Sequence, residues 1–288
     1  MGKLSEKTVV ITGASSGLGA TLAVECAKEG AQVAIFARNG GKLEEVAKAC
    51  GDVRGETLAV VGDVTVPEDG ERLVAETVDR FGRIDYLINN AGVMIPPYSK
   101  TKDGFELQMG TNHLGHFALT MQLLDLIKST SFSRIVNVSS GAHRYGNIDF
   151  EDLTWEKRKY KPWRAYGDSK IANLYFTHEL QKKLENDKSD VKVTAAHPGW
   201  TATELQRHSG LADYLNRFVA MTIEQGALPT LRAATDEDAH NGDYFGPDGF
   251  MEWRGYPKKV DTNKLAKDET IAKKLWSVSE KLTKVNLN

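Results

Sequence analysis

From its first dozen residues the chain alternates short β-rich apolar runs with helical segments, and no other feature limits its possible folds so much. Thr8–Thr12 (TVVIT) reads as a buried strand, and Ala20–Glu29 as a helix closed by Gly30 just past its end. Ala31–Ala37 is a second strand, followed by a helix around Leu43–Ala49; Thr57–Val61 is a third, followed by an amphipathic helix over Glu68–Phe81 with Gly82 behind it. Ile84–Asn89, Arg134–Ser139 and Val191–Ala196 continue the strands, Tyr244–Phe245 starts a short seventh, and Asn112–Lys128 and Tyr166–Leu184 are long helices flanking the fifth. Strict alternation implies a parallel sheet covered on both faces, and right-handed crossovers make a doubly wound α/β fold of about seven strands the simplest topology. With 288 residues and no repeat or linker, residues 1–288 read as a single domain.

Two stretches exceed the minimal alternation and are expected to border a substrate cleft: 141–165, polar and aromatic, and 203–221, after the sixth strand. A carboxyl-terminal stripe, Ile271, Leu275, Val278 and Leu282, has helical spacing and is expected to pack on the body. A net charge of −2 argues against nucleic acid or an anionic membrane as main partner. No stretch has the length and apolarity of a membrane span and no secretory signal is visible, so the expected location is cytoplasmic. Cys26 and Cys50 form neither a ligand cluster nor a disulfide framework, and Cys26 follows Leu18 and Leu22 at core spacing. The seven histidines are scattered without a metal-ligand context, so no metal is expected; His178 reads as a core residue, and His143 could line the cleft.

Between the first strand and first helix stands Thr12-Gly13-Ala14-Ser15-Ser16-Gly17-Leu18-Gly19. Glycines there let the backbone turn sharply and approach a pyrophosphate seated on the positive helix amino terminus. This is where the dinucleotide fingerprint of a Rossmann fold belongs. Gly13, Ser15, Ser16, Gly17, Leu18 and Gly19 are the candidate phosphate-binding residues. An NAD-binding fold of this kind carries an acid at the end of its second strand. Here the sequence is Ala37-Arg38-Asn39, and Arg38 offers a bidentate fork to a 2′-phosphate, so the expected cofactor is NADP. Asp63 is either an acceptor for an adenine amino group or a turn aspartate. Asn90, Ala91 and Gly92, after the fourth strand, would let the cofactor lie against backbone.

Tyr166-Gly167-Asp168-Ser169-Lys170 opens a helix, and the i,i+4 spacing puts tyrosine and lysine on one face. A free tyrosine titrates near pKa ~10. A neighbouring ammonium is expected to lower that value toward neutrality.

TGASSGLG, NNAG, Asn112, VNVSS, YGDSK and His197-Pro198-Gly199 occur in that order, each at a strand end or on the following helix. Together they resemble the short-chain dehydrogenase/reductase family over roughly residues 5–250. The resemblance implies Tyr166 as general acid/base, with Lys170 holding the nicotinamide ribose and lowering the tyrosine pKa. It implies Ser140, in competition with Ser139, as hydrogen-bond partner of the substrate oxygen, and Asn112 as support for a water-linked proton relay. Pro198, Gly199, Thr201 and Thr203 resemble the segment that receives the nicotinamide carboxamide. The length of the 141–165 excursion and the sequence LWSVSEKL resemble the subgroup of retinol dehydrogenases and the WW-domain oxidoreductase, and more distantly protochlorophyllide reductase. No WW domain and no membrane anchor is visible, and a substrate other than a retinoid is expected.

The implied activity is hydride transfer between NADP(H) and a small-molecule carbonyl or alcohol. Trp155, Trp163, Trp200 and the 203–221 region suggest a bulky, partly apolar substrate. Enoyl reduction places the family's tyrosine seven residues before the lysine, where this chain has Trp163. A non-enzymatic alternative is an NADP-binding sensor or scaffold, which would not require Asn112, Ser140, Tyr166 and Lys170 together. Pairing of the Asn112 and Tyr166 helices into a homo-oligomer is possible in the family, and the excursion could block it.

Overall fold

The computed structural model describes residues 2–53, 56–201 and 220–286. Its frame is one eight-stranded sheet: β1 (Thr8–Thr12), β2 (Gln32–Ala37), β3 (Thr57–Val61), β4 (Tyr86–Asn89), β5 (Arg134–Val138), β6 (Lys192–Ala196), β7 (Tyr244–Pro247) and β8 (Pro257–Val260). The spatial order is β3-β2-β1-β4-β5-β6-β7-β8, as the doubly wound expectation requires. Strands β1 to β7 run parallel, with Ile11 opposite both Ile35 on β2 and Ile88 on β4. The chain winds outward from β1 to β3 and then returns to lay β4 beside β1. At that switch point neighbouring loops leave the sheet in opposite directions, which opens a crevice at the carboxyl ends of the strands.

Helices α1 (Gly17–Lys28), α2 (Gly40–Gly51), α3 (Pro67–Phe81), α4 (Gly115–Lys128), α5 (Pro162–Asn186), α6 (Ile223–Thr235) and α7 (Glu269–Thr283) cover the sheet. Their ends follow local chemistry. The Asn39 side chain accepts from Lys42 N at 3.1 Å to cap α2. Helix α3 starts at a proline with Glu68 and Asp69 in its first turn and stops at Gly82, which takes a left-handed φ of 75°. Buried residues of α1, α2 and α6 pack with Val9, Ile11, Val33 and Ile35 on one face; those of α3, α4 and α5 pack with Val10, Ala34 and Leu87 on the other. Cys26 and Cys50 are both free and buried, and burial pushes the Cys26 thiol up to about 12, consistent with its packing role.

The structure adds to the expected elements in three places. Helix α6 carries Gly226 and Pro229, both helix-unfavourable, which hide its periodicity in the sequence; packing of Ala227, Ala233 and Ala234 against the core overrides them. Strand β8 pairs antiparallel with β7, and its proline sits at the sheet edge, where no ladder bond is lost. Before α4, a helical turn at Leu107–Met109 leads into a π-helical stretch, Gly110–Leu114, that contains Asn112. The carboxyl-terminal stripe does pack on the body. Helix α7 buries Leu275, and Trp276 meets Phe117 of α4 and Phe176 of α5 with ring centroids 5.1 and 5.9 Å apart. Truncating a buried tryptophan of this kind typically costs about 3–5 kcal/mol.

Candidate active site

The crevice at the β1/β4 switch point is a continuous cleft of about 1440 Å³. That exceeds the roughly 300–1,000 Å³ typical of a pocket for one small ligand, and so offers room for a dinucleotide and a second molecule. One end is walled by the glycine loop, Arg38 and Asp63, the middle by Asn90–Val93 and Ser139–Ala142, and the far end by Trp163, Trp200 and Met251–Trp253.

At the first end, Gly13 has φ 66° and Gly17 φ 53°, conformations that glycine adopts without steric cost. Close approach matters as much as dihedral freedom. A Cβ on Gly19 would stand 2.3 Å from the Gly13 carbonyl oxygen and 2.6 Å from Asn90 Nδ2, so only glycine lets α1 press against the loop and the β4 end. The Ser16 side chain makes no capping bond to α1, leaving the first-turn N–H groups directed at the cleft. Thr12 Oγ1 accepts from Asn90 N and Ala91 N at 3.0 and 2.9 Å, and Asn90 Nδ2 donates to Thr12 O at 2.8 Å, which ties the β1 and β4 ends together. These residues fit a nucleotide pyrophosphate: the loop is held open by glycines and offers unpaired helix amides.

Arg38 reaches the rim with its side chain 67% exposed, and Nη1 lies 3.8 Å from Asp63 Oδ2. Of the two roles left open for Asp63, the structure shows that of a turn aspartate. Its Oδ1 accepts from Thr65 N and Oγ1 at 2.9 and 2.8 Å, fixing the turn, while the residue also lines the cleft.

Deeper in, Ser139 and Ser140 divide sharply. Ser139 is 1% exposed and its hydroxyl donates to Lys170 O at 2.8 Å. Ser140 lines the cleft together with Tyr166, and its hydroxyl favours the tyrosine's charged form. Of the two serines, the structure brings Ser140 to the tyrosine. Lys170 Nζ donates to Val138 O at 3.1 Å and sits 5.7 Å from the centre of the Tyr166 ring. Tyr166 itself is strongly desolvated. Burial pushes it up to about 12, with the Ser140 hydroxyl working the other way, and burial brings Lys170 down to about 8. Desolvation inside the protein opposes the charged form of both groups.

Asn112 is a brace. Its Oδ1 accepts from Val93 N at 2.8 Å, and its Nδ2 donates to Val93 O and Ser169 Oγ at 3.0 and 2.9 Å. The π-helical stretch turns its carbonyl toward His116 Nδ1 at 3.0 Å. His116 Nδ1 must donate there, so Nε2 accepts from the Thr12 hydroxyl at 3.0 Å. Burial brings this histidine down to about 3, so it stays neutral and links the glycine loop to Asn112. The sequence reading missed that link, although Thr12 adjoins the glycine motif and His116 lies one turn after Asn112.

Pro198, Gly199 and Thr201 line the cleft as expected, whereas Thr203 and most of the 203–221 region lie outside the described residues. His143 does not line the cleft: it is buried, with Nδ1 2.7 Å from Ser140 O and its ring against Tyr244. Trp155 is also a packing residue, 5% exposed with the Arg158 guanidinium 3.6 Å over its ring, while Trp163 and Trp200 do border the cleft. His178 is half-buried on α5, and burial lowers its pKa. Among the described residues no group of three or more His, Cys, Asp or Glu side chains could hold a metal, and no helix is long and apolar enough to cross a membrane.

The chain belongs to the short chain dehydrogenase family, whose model matches residues 7–213, and it is therefore an oxidoreductase built for a nicotinamide cofactor. Within the family it falls in a retinol-dehydrogenase-like subgroup. It is 40% identical to retinol dehydrogenase 13 of Homo sapiens over 96% of this chain and 84% of that protein. It is 41% identical to retinol dehydrogenase 14 of Mus musculus, over 97% and 86%. A crystal structure of an uncharacterized protein from Mycobacterium Paratuberculosis superimposes with a TM-score of 0.82 at 40% identity, covering 99% of this chain and 96% of that one.

Proposed function

We propose that the protein transfers hydride between NADP(H) and a bulky, partly apolar carbonyl or alcohol, with Tyr166 as the acid/base. The observation that carries this reading is that Ser140, Tyr166 and Lys170 line the same stretch of the cleft, with Lys170 buried beside the tyrosine ring. NADP rather than NAD is supported by Arg38 on the rim beside the glycine loop, where its exposed fork can meet a 2′-phosphate bidentately.

When bound, the reduced nicotinamide supplies the hydride to the carbonyl carbon. Tyr166, kept protonated by burial, gives its hydroxyl proton to the carbonyl oxygen as negative charge develops there. The Ser140 hydroxyl donates a hydrogen bond to the same oxygen, stabilising the charge that develops there. Lys170, anchored on Val138 O, presents its remaining N–H donors to the ribose side. Asn112 and Thr12 hold the wall against which the cofactor lies. Trp163, Trp200, Met251 and Trp253 give the far end its apolar character. We place the protein in the cytoplasm, acting on a small molecule. The direct test is the loss of NADPH absorbance with a panel of aldehydes and ketones. Turnover that requires Tyr166 and prefers NADPH supports the reading; an NADPH-binding protein that reduces none of them removes it.

A further inference from the structure

The far wall of the cleft is held by residues that the proton chemistry does not use, two of which, Arg144 and Glu252, stand outside the family motifs. Glu252 stands on the loop between β7 and β8. Arg144 Nη2, from the excursion after β5, donates to both of its carboxylate oxygens at 2.9 Å. His197, at the end of β6, places Nε2 3.0 Å from Oε2. Gly199 N donates to His197 Nδ1 at 3.2 Å, so that nitrogen is the acceptor and Nε2 carries the proton given to Glu252. The ring is 1% exposed and fits only because Gly246 lacks a Cβ, which would fall 2.1 Å from Nε2.

The loop would not hold its shape alone. Met251 and Glu252 are consecutive non-glycine residues with left-handed φ values of 51° and 57°. Such strain persists only where the surroundings over-determine it. The clamp supplies that determination, together with the Trp200 N–H bond to Trp253 O at 2.7 Å. What the strained turn displays is apolar surface that the described residues leave open: Met251 is 60% exposed and Trp253 40%, both on the cleft. Meanwhile Arg144 and Glu252, the charged residues that line this end of the cleft, are paired with each other.

We infer that the Arg144–Glu252–His197 clamp sets the substrate range, with Glu252 a positioning residue that fixes the Met251–Trp253 wall against bulky apolar carbonyls. The inference rests on the hydride-transfer reading for its kinetic consequence, but the clamp itself can be tested without turnover.

The experiment compares the full-length wild type with Glu252→Ala, Arg144→Met and Glu252→Gln, using 2-naphthaldehyde and propanal as substrates with NADPH. Release of the wall should lower the ratio of kcat/KM for naphthaldehyde over propanal by about tenfold or more in the first two variants, mainly through KM, since displacements near 1 Å can cost that much. Glu252→Gln, which keeps an oxygen for His197 and Arg144, should recover most of the ratio. Hydrogen exchange of residues 248–256 and 197–201 should quicken in Glu252→Ala and Arg144→Met, with NADPH binding marking the variants as folded. Equal losses on both aldehydes, or unchanged exchange in 248–256, would overturn the inference. If the wild type binds NADPH yet reduces neither aldehyde, the hydride-transfer reading fails instead; the exchange rates, with naphthaldehyde binding read by tryptophan quenching, then decide the clamp.

Discussion

The two ends of the cleft are built by different means. The nucleotide end is local: Thr12 to Gly19 form one uninterrupted turn from β1 into α1, and its fit depends on what the glycines lack. The substrate end is assembled from residues far apart in the chain, with His197 55 positions and Arg144 108 positions from the Glu252 they hold. A local turn can be read from eight consecutive letters. A clamp of this kind exists only after three loops have been brought together by the sheet.

The largest expected effect tests the local end. Gly19→Val should abolish NADPH binding or folding, because even a Cβ would collide with Gly13 O and Asn90. A folded variant with wild-type NADPH affinity would show that the phosphate site has been misplaced.

Next comes the junction of the two ends. Tyr166→Phe retains the ring and removes only the reacting hydroxyl, so NADPH should still bind while single-turnover reduction falls at least ~10²-fold. Lys170→Ala should impair both binding and reduction, since it serves both regions. A Tyr166→Phe protein reducing its carbonyl at the wild-type chemical rate would remove the proposed mechanism.

Arg38→Asp should erase or reverse the NADPH preference over NADH, a change of about tenfold to a hundredfold for losing a charge-assisted fork. Equal affinities of the unmodified protein for the two cofactors would break the NADP assignment and leave the rest of the site standing.

The last test is a titration of the interior that joins the ends. Burial holds His113 and His143 at about 4 and His116 at about 3, below their ordinary value of 6.5. Between those limits the unfolded chain binds protons that the folded protein refuses. Stability therefore falls as pH drops below 6.5, by about 1.4 kcal/mol per pH unit for each histidine. Asp168, raised by burial to about 6, acts with the opposite sign between 6 and 3.8 and offsets one of them. Denaturant melts from pH 7 to 5 should show this net loss; a flat profile would mean that the histidines are not buried in the neutral form. His116→Gln should flatten it by one proton.

Legibility followed the same division. Every strand of the parallel sheet was visible as an apolar run, because burial on both faces demands continuous hydrophobicity. Helix α6 was not, since Gly226 and Pro229 break its local pattern and only packing restores it. Tyr166 and Lys170 were visible as an i,i+4 pair, but their protonation was not. Proximity in sequence sets ammonium beside phenol, whereas the burial that opposes the phenolate exists only in the fold. Likewise the adjacent serines look equivalent as letters, and only the packing of α5 against β5 commits Ser139 to Lys170 O and leaves Ser140 in the cleft.

By itself the sequence determined the alternation, hence the sheet, the switch point and the glycine turn, because these arise from periodicity and backbone sterics acting over a few residues. The tertiary structure alone decided that His116 joins Thr12 to Asn112, that His143 faces inward, and that Arg144 and His197 converge on Glu252. Those outcomes depend on desolvation and on distances between segments, and neither quantity exists until the chain has folded.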